Sequence, residues 1–207
     1  MTEYHKIQTM FKREMQNKGK IIEGAWTCPE FEYLKDNEWT FTEKVDGTNI
    51  RISFQDGKIT FGGRTDAAQI PSQLVTRLND KFLPLADLFA QNFADGCVLY
   101  GEGYGAKIQK GGGLYRSDQD FVLFDVRVGK WWLQRKDVED IAVVLGLDVV
   151  PIIGSGSLQD AIDKVKLGIT SNWGNFEAEG IVARPRVELV TRGGQRIITK
   201  IKARDFK

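Results

Sequence analysis

Phe41-Thr42-Glu43-Lys44-Val45-Asp46-Gly47-Thr48-Asn49-Ile50-Arg51 sets one lysine in a short polar stretch between two apolar, β-prone segments. Phe41-Thr42 and the run Ile50 to Phe54 read as strands. Asp46-Gly47 is a two-residue turn signal that predicts a chain reversal just after the lysine. Lys44 then sits at the mouth of a sheet. An amine held there can attack the α-phosphorus of a nucleotide and form a phosphoramidate, provided its neutral form is populated. Alone, the string K-x-D-G also reads as the turn of a surface hairpin, so the rest of the chain has to decide.

The 207 residues are 42% hydrophobic and 28% charged, an ordinary globular composition that predicts one main domain spanning residues 1–207. A net charge of +1, from 29 basic and 28 acidic residues, excludes a protein that coats nucleic acid by bulk electrostatics and leaves a local basic groove open. Cys28 and Cys97 have no metal-ligand spacing and make no disulfide framework, which fits a reducing cytosol. The N-terminus has no apolar run after its charges and does not read as a secretory signal. The most apolar stretch, Ile141 to Leu147, is far too short to span a membrane. His5 is the only histidine, which excludes a multi-histidine zinc site and a histidine-activated nucleophile built from the middle of the chain. Chemistry must then rest on lysine, arginine and carboxylates, with an oxygen-loving metal such as Mg²⁺.

The hydrophobic pattern predicts an α+β domain with a largely antiparallel sheet system. Residues 1–18 read as a polar amphipathic helix or arm, from the spacing of Ile7, Met10, Phe11 and Met15. Residues 39–64 read as consecutive strands and turns, with Asp56-Gly57 as a second reversal. Leu74, Leu78, Phe82, Leu85, Leu88 and Phe89 predict helices over 71–93, broken near Pro84. Strands follow at Cys97 to Tyr100 and Phe121 to Val126, helices over 135–147 and 158–166, and final strands at Gly180 to Ala183 and Ile197 to Lys202. The run 154–157 reads as a glycine-serine connection between helices.

Several polar residues fall at the ends of apolar strands, where sites are commonly assembled. Tyr100-Gly101-Glu102-Gly103 places a carboxylate after one strand, and Glu179-Gly180-Ile181-Val182 another before the next. In Thr199-Lys200-Ile201-Lys202, alternation puts both lysines on one strand face. Two such ammonium groups suit a polyphosphate, and close to Lys44 they would disfavour its charged form by repulsion.

The order and wording of these segments resemble the lysine-adenylylating nucleotidyltransferase superfamily of DNA ligases, RNA ligases and mRNA capping enzymes. Lys44-Val45-Asp46-Gly47 resembles its first motif and Tyr100-Gly101-Glu102 its third. Phe121 to Val126 is similar to the aromatic motif that follows, Glu179 to Val182 to the fourth, and Lys200-Ile201-Lys202 to the fifth. Glu43-Lys44 through Gly47-Thr48-Asn49 is similar to the E-K-x-x-G-T-N form of the RNA ligase 2-like branch, whereas DNA ligases usually carry arginine where Asn49 stands. The resemblance therefore implies an ATP-grasp-like nucleotidyltransferase fold and a small, phage-type, ATP-dependent RNA ligase acting in RNA repair. Lys44 is implied as the nucleophile that becomes lysyl-AMP, with Glu43 and Asn49 in the nucleotide pocket and its immediate support. Arg64 is implied at the sugar and phosphate side, Glu102 at the ribose, and Phe124 as the ring stacked on adenine, with Phe121 as the alternative under a shifted alignment. Glu179 is implied as the metal carboxylate, for Mg²⁺ or Mn²⁺, and Lys200 and Lys202 as the pair on the α-phosphate.

Asp46 varies among RNA ligases and is left as an orienting or turn residue. Arg51, on the strand face of Asn49, reads as a phosphate contact or a solvated arginine. The chain ends soon after Lys202, so no accessory C-terminal OB-fold domain is expected. Substrate contacts would then fall to the glycine-rich loop 105–116 and to Lys6, Lys12 and Arg13. The implied partners are RNA ends or nicks and ATP, with no membrane, a monomeric state, and a bacterial or phage-infected cytosol. Alternatives are a minimal DNA ligase, a capping-type guanylyltransferase, and a non-catalytic nucleotide- or RNA-binding module.

Overall fold

The computed structural model describes residues 2–14, 16 and 19–207. In chain order its elements begin with strands β1 (Gln8–Thr9), β2 (Phe11–Glu14) and β3 (Lys20–Trp26), helix α1 (Pro29–Leu34), and strands β4 (Trp39–Glu43), β5 (Thr48–Gln55) and β6 (Lys58–Gly62). Helices α2 (Ser72–Phe82) and α3 (Ala86–Asn92) precede β7 (Cys97–Gly105), α4 (Gly112–Tyr115), β8 (Gln119–Val128) and β9 (Trp131–Trp132). Helix α5 (Arg135–Leu145), β10 (Ile152–Gly156), α6 (Leu158–Leu167), β11 (Gly180–Pro185) and β12 (Thr199–Lys202) complete the set. The chain divides into two compact units, Met1–His5 with Asp46–Val150, and Lys6–Val45 with Pro151–Lys207.

The unit centred on Asp46–Val150 is built on an antiparallel sheet of order β6-β5-β7-β8-β9. Alternation in β5 turns Ile50, Ile52 and Phe54 to one face, where they meet Leu74, Leu78 and Phe82 of α2, Phe89 of α3 and Leu99 and Phe121 of the neighbouring strands. Each fully buried Leu, Ile or Phe contributes about 1.5–3 kcal/mol of apolar transfer. Pro84 ends α2 as expected, leaving a 3₁₀ turn over Leu83–Leu85 before α3. Burial also pushes the Cys97 thiol up to about 12. The opposite sheet face is polar, and the N-terminal segment lies on it. Tyr4 is buried there and donates its hydroxyl to Asp125 at 2.6 Å, while the Tyr100 hydroxyl donates to the Thr2 carbonyl at 3.1 Å.

The second unit carries a sheet of order β1-β12-β11-β4-β10, antiparallel except for the β1·β12 pair, and a separate β2-β3 hairpin. Trp39 and Phe41 of β4, Ile181 and Ala183 of β11, Ile201 of β12 and the apolar face of α6 form its core. Helix α6 opens on a capping box, with the Ser157 side chain and Asp160 each satisfying the other's backbone N–H.

Three local expectations are corrected. Residues 8–14 are strands, not helix. Ile7, Met10 and Phe11 fit a helical spacing, but the free edge of β12 offers backbone partners to β1, pairing Gln8 with Thr199 and Thr9 with Lys200; Met15 lies outside the described residues. The glycine-serine run is strand β10, paired to β4, with Gly154 and Gly156 at φ 153° and 149°, a backbone open to glycine and rarely taken by other residues. Finally, Asp46-Gly47 makes no hairpin, because β4 pairs with β10 and β11 whereas β5 pairs with β6 and β7. Asp56-Gly57 does make one, with both residues at positive φ (50° and 72°) between paired Gln55 and Lys58.

Candidate active site

In the second unit, β4 delivers Lys44. Its backbone N–H donates to the Gly180 carbonyl at 2.9 Å, which extends the β4·β11 ladder past the strand end. In β12, Thr199 and Ile201 are buried and Lys200 and Lys202 take the other face, as alternation predicts. Lys200 pairs with Val182 and Lys202 with Gly180. Glu179, one residue before β11, bridges two of these cations: Lys44 Nζ lies 2.5 Å from Oε2 and Lys202 Nζ 2.5 Å from Oε1. All three side chains are more than four-fifths buried. Gly180 makes this approach possible, since a Cβ there would fall 2.1 Å from the Ile201 carbonyl oxygen. Burial by itself would raise the Glu179 pKa; the charge of Lys44 and the hydrogen bonds from Lys202 and Lys44 outweigh it and hold the carboxyl below its ordinary value. The cations expected to act on Lys44 by repulsion are thus met by a carboxylate placed between Lys202 and the nucleophile.

Glu43 faces the other way. Strand alternation puts it with Trp39 and Phe41, and its buried carboxylate accepts bonds from Ser171 Oγ (2.6 Å), Asn172 N (2.9 Å) and Asn172 Nδ2 (3.1 Å). It is a strut for the 171–173 turn, which narrows its expected role to support.

In the first unit, Asn49 of β5 stands opposite Glu102 of β7 on the polar sheet face. Asn49 Oδ1 is buried and, among the described residues, has no hydrogen-bond partner, so it presents an acceptor to a donor from outside the chain. Gly47 packs directly on Glu102, where a Cβ would come 2.7 Å from Glu102 Cγ and 2.2 Å from the Gly103 carbonyl oxygen. The loop 105–116 grips the same stretch: Gln109 Nε2 donates to the Gly47 carbonyl at 3.0 Å, and the Asp46 N–H donates to the Tyr115 hydroxyl at 3.1 Å. Sequence reading had singled out that loop for substrate contact, and its hold on Asp46-Gly47 was not foreseen.

Phe121 and Phe124 part company in the structure. Phe121 is fully buried, edge-on to Phe82 at 5.5 Å in the helix-covered core, and is closed to any ligand. Phe124 sits at a β-bulge, where Tyr100 pairs with Asp125 and Gly101 with Leu123, and is half-buried with Tyr4 edge-on at 5.1 Å. Tyr4 is a contact no sequence signal announces, being 121 positions from its partner Asp125. Arg64 is exposed in the turn after β6. Arg51 is not solvated; it is fully buried.

Among the described residues no group of three or more His, Cys, Asp or Glu is placed to hold a metal ion. A lone carboxylate such as Glu179 fits the way Mg²⁺ is usually held, through one or two carboxylates, waters and the phosphates of its substrate. Among the described residues no helix is long and apolar enough to cross a membrane.

Residues 37–202 match the model of the RNA ligase family. Among solved structures, the chain is similar to a variant of the Naegleria gruberi RNA ligase with ATP and Mn, at 19% identity and a TM-score of 0.68, over 100% of this chain and 58% of that one. The same ligase with PPi gives 19% identity and 0.67, over 100% and 59%, and a variant with AMP and Mn 17% and 0.66, over 100% and 59%. At these identities the structures establish the shared fold, and this chain spans somewhat under two thirds of their length.

Proposed function

The chain belongs to the RNA ligase family, and from that premise we propose that it is an ATP-dependent RNA ligase working through a lysyl-AMP intermediate. The observation that carries this reading is the Lys44–Glu179–Lys202 bridge, a nucleophile candidate held with a carboxylate and a second cation. A lysine that merely closed a surface turn would have no need of either.

Only the free amine of Lys44 can attack. Any proton it carries leaves to solvent or to Glu179, after which its nitrogen forms a bond to the α-phosphorus while the bond to the bridging oxygen of pyrophosphate breaks. Lys200 and Lys202 neutralise charge on the phosphates as pyrophosphate leaves. Glu102 receives the ribose, Phe124 the base, and Arg64 the sugar and phosphate side. AMP then passes to a polynucleotide 5′-phosphate, and a 3′-hydroxyl displaces AMP to seal the strand. A divalent cation bound at Glu179 would supply charge neutralisation at the phosphates and take over the carboxylate that Lys44 occupies. RNA repair, a phage-type origin, a monomeric state and a cytosolic setting belong to the same proposal.

Intact-protein mass spectrometry after incubation with Mg²⁺ and ATP or GTP, with peptide mapping, tests it. An AMP adduct on Lys44 is expected. A GMP adduct would point to capping chemistry, and no adduct on protein free of pre-bound AMP would leave a nucleotide- or RNA-binding module. Asn49, where DNA ligases usually carry arginine, argues against a minimal DNA ligase.

A further inference from the structure

Arg51 is a fully buried cation outside the Lys44 cluster. Its strand neighbours Ile50 and Ile52 enter the apolar core, so alternation sends Arg51 to the polar face, in register with Gly62 of β6 and Tyr100 of β7. A guanidinium so placed must have its donors satisfied, or its desolvation goes uncompensated. Two of its bonds go to one short segment: Nε donates to the Gly63 carbonyl at 2.6 Å and Nη2 to Asp66 Oδ1 at 2.9 Å. Gly63 and Asp66 flank Arg64-Thr65 on either side. The turn is tight in its own right, since the Ala68 N–H donates to the Thr65 carbonyl at 3.1 Å and a Cβ on Gly63 would come 2.9 Å from Ala68 Cβ. Arg64 itself is exposed and, among the described residues, makes no side-chain hydrogen bond or ion pair.

We propose that Arg51 is a positioning residue for Arg64. Its planar fork ties down the backbone before Arg64 and the Asp66 side chain after it, so that the exposed guanidinium meets the nucleotide from a preset turn and little further order is lost on binding. Lysine cannot span both acceptors, and a solvated arginine at position 51 would leave the turn free. The inference rests on the ligase reading, because Arg64 is assigned to the nucleotide only there.

The test is the rate of self-adenylylation of the full chain as a function of ATP concentration. Asp66→Ala removes the outer anchor at a side chain 72% exposed, where loss of fold is not expected. It should raise the half-saturating ATP concentration about three- to tenfold and leave the maximal rate within about twofold, the worth of one ordinary, solvent-screened hydrogen bond. Arg51→Lys should act in the same direction and more strongly. On an Arg64→Ala background neither substitution should add anything further, because their target is gone. Unchanged ATP dependence in Asp66→Ala, or an equal further loss on the Arg64→Ala background, would overturn the positioning role while leaving the ligase reading intact. Absence of any adduct on the wild-type chain would overturn both.

Discussion

Each unit buries one carboxylate among cations, and the two sites differ in what the cations are tied to. In the Asp46–Val150 unit, Asp120 accepts from Arg77 (3.0 Å) and Lys81 (3.0 Å) of α2, from Arg116 (2.8 Å) just past α4, and from the backbone N–H of Phe121 (2.8 Å). In the other unit Glu179 has Lys44 and Lys202, both from strand ends. Asp120 joins α2 and the end of the 105–116 loop to β8, so its bonds hold elements in place. Glu179 holds two side chains whose own backbones are already fixed by the ladder. A buried ion cluster alone therefore does not mark an active centre; what matters is whether the partners are free to leave without undoing the fold.

Substitutions at the two sites should separate along that line. Lys44→Ala has the largest expected effect: no nucleotide adduct by intact mass, with a melting temperature close to wild type, since Lys44 contributes little to either core. Persistence of an adduct would move the nucleophile elsewhere. Glu179→Gln should lower the rate of adduct formation by about a hundredfold, on the order expected for a lost group acting on charge and proton in the transition state. Its melting temperature should fall less than that of the matching variant in the other unit, and equal losses of stability would erase the distinction. That variant, Asp120→Asn, should cost about 3 kcal/mol, because it leaves several cations around a neutral amide. A drop in melting temperature of roughly 6–12 °C, measured at neutral pH, would report it.

The smallest effect is in acid. Burial tends to raise the Asp120 pKa, but Arg77, the Phe121 amide and Lys81 bring it down to about 2 from an ordinary 3.8. The folded value lies below the unfolded one, so this group stabilises the fold above pH 4 and loses its contribution as pH falls from about 4 towards 2. The amount is on the order of 2 kcal/mol. Urea unfolding at a series of pH values should show that part of the acid loss disappearing in Asp120→Asn; an unchanged slope would mean that the cluster does not hold the carboxylate as drawn.

Patterns confined to a few neighbouring residues were legible before the structure. The helices over 71–93, the alternation of Lys200 and Lys202, and the hairpin at Asp56-Gly57 all follow from periods of 3.6 or 2 and from turn chemistry. The family-wide order of motifs was legible as well, since it lies in the linear string. What failed was any inference in which the partner is distant. Asp46-Gly47 carries the same dipeptide as Asp56-Gly57, yet only the second closes a hairpin, because the strand after Asp46-Gly47 pairs with β7, some fifty positions on, instead of with β4. Phe121 and Phe124 sit in one apolar run three positions apart, and the register of β8 on β7 decides which ring enters the core. Arg51 reads by type as a phosphate contact or a solvated arginine, but it is buried and bonded to Gly63 and Asp66.

By itself, then, the sequence determined the family, the motif that carries Lys44 and many of the local elements, because each is encoded by residues adjacent in the string or in fixed order. Only the tertiary structure decided that Glu179 stands between Lys44 and Lys202, that Glu43 turns inward to the 171–173 turn, and that Arg51 clasps the turn bearing Arg64. Those outcomes depend on strand register and on which buried polar groups find partners, and both are settled by packing the whole unit at once.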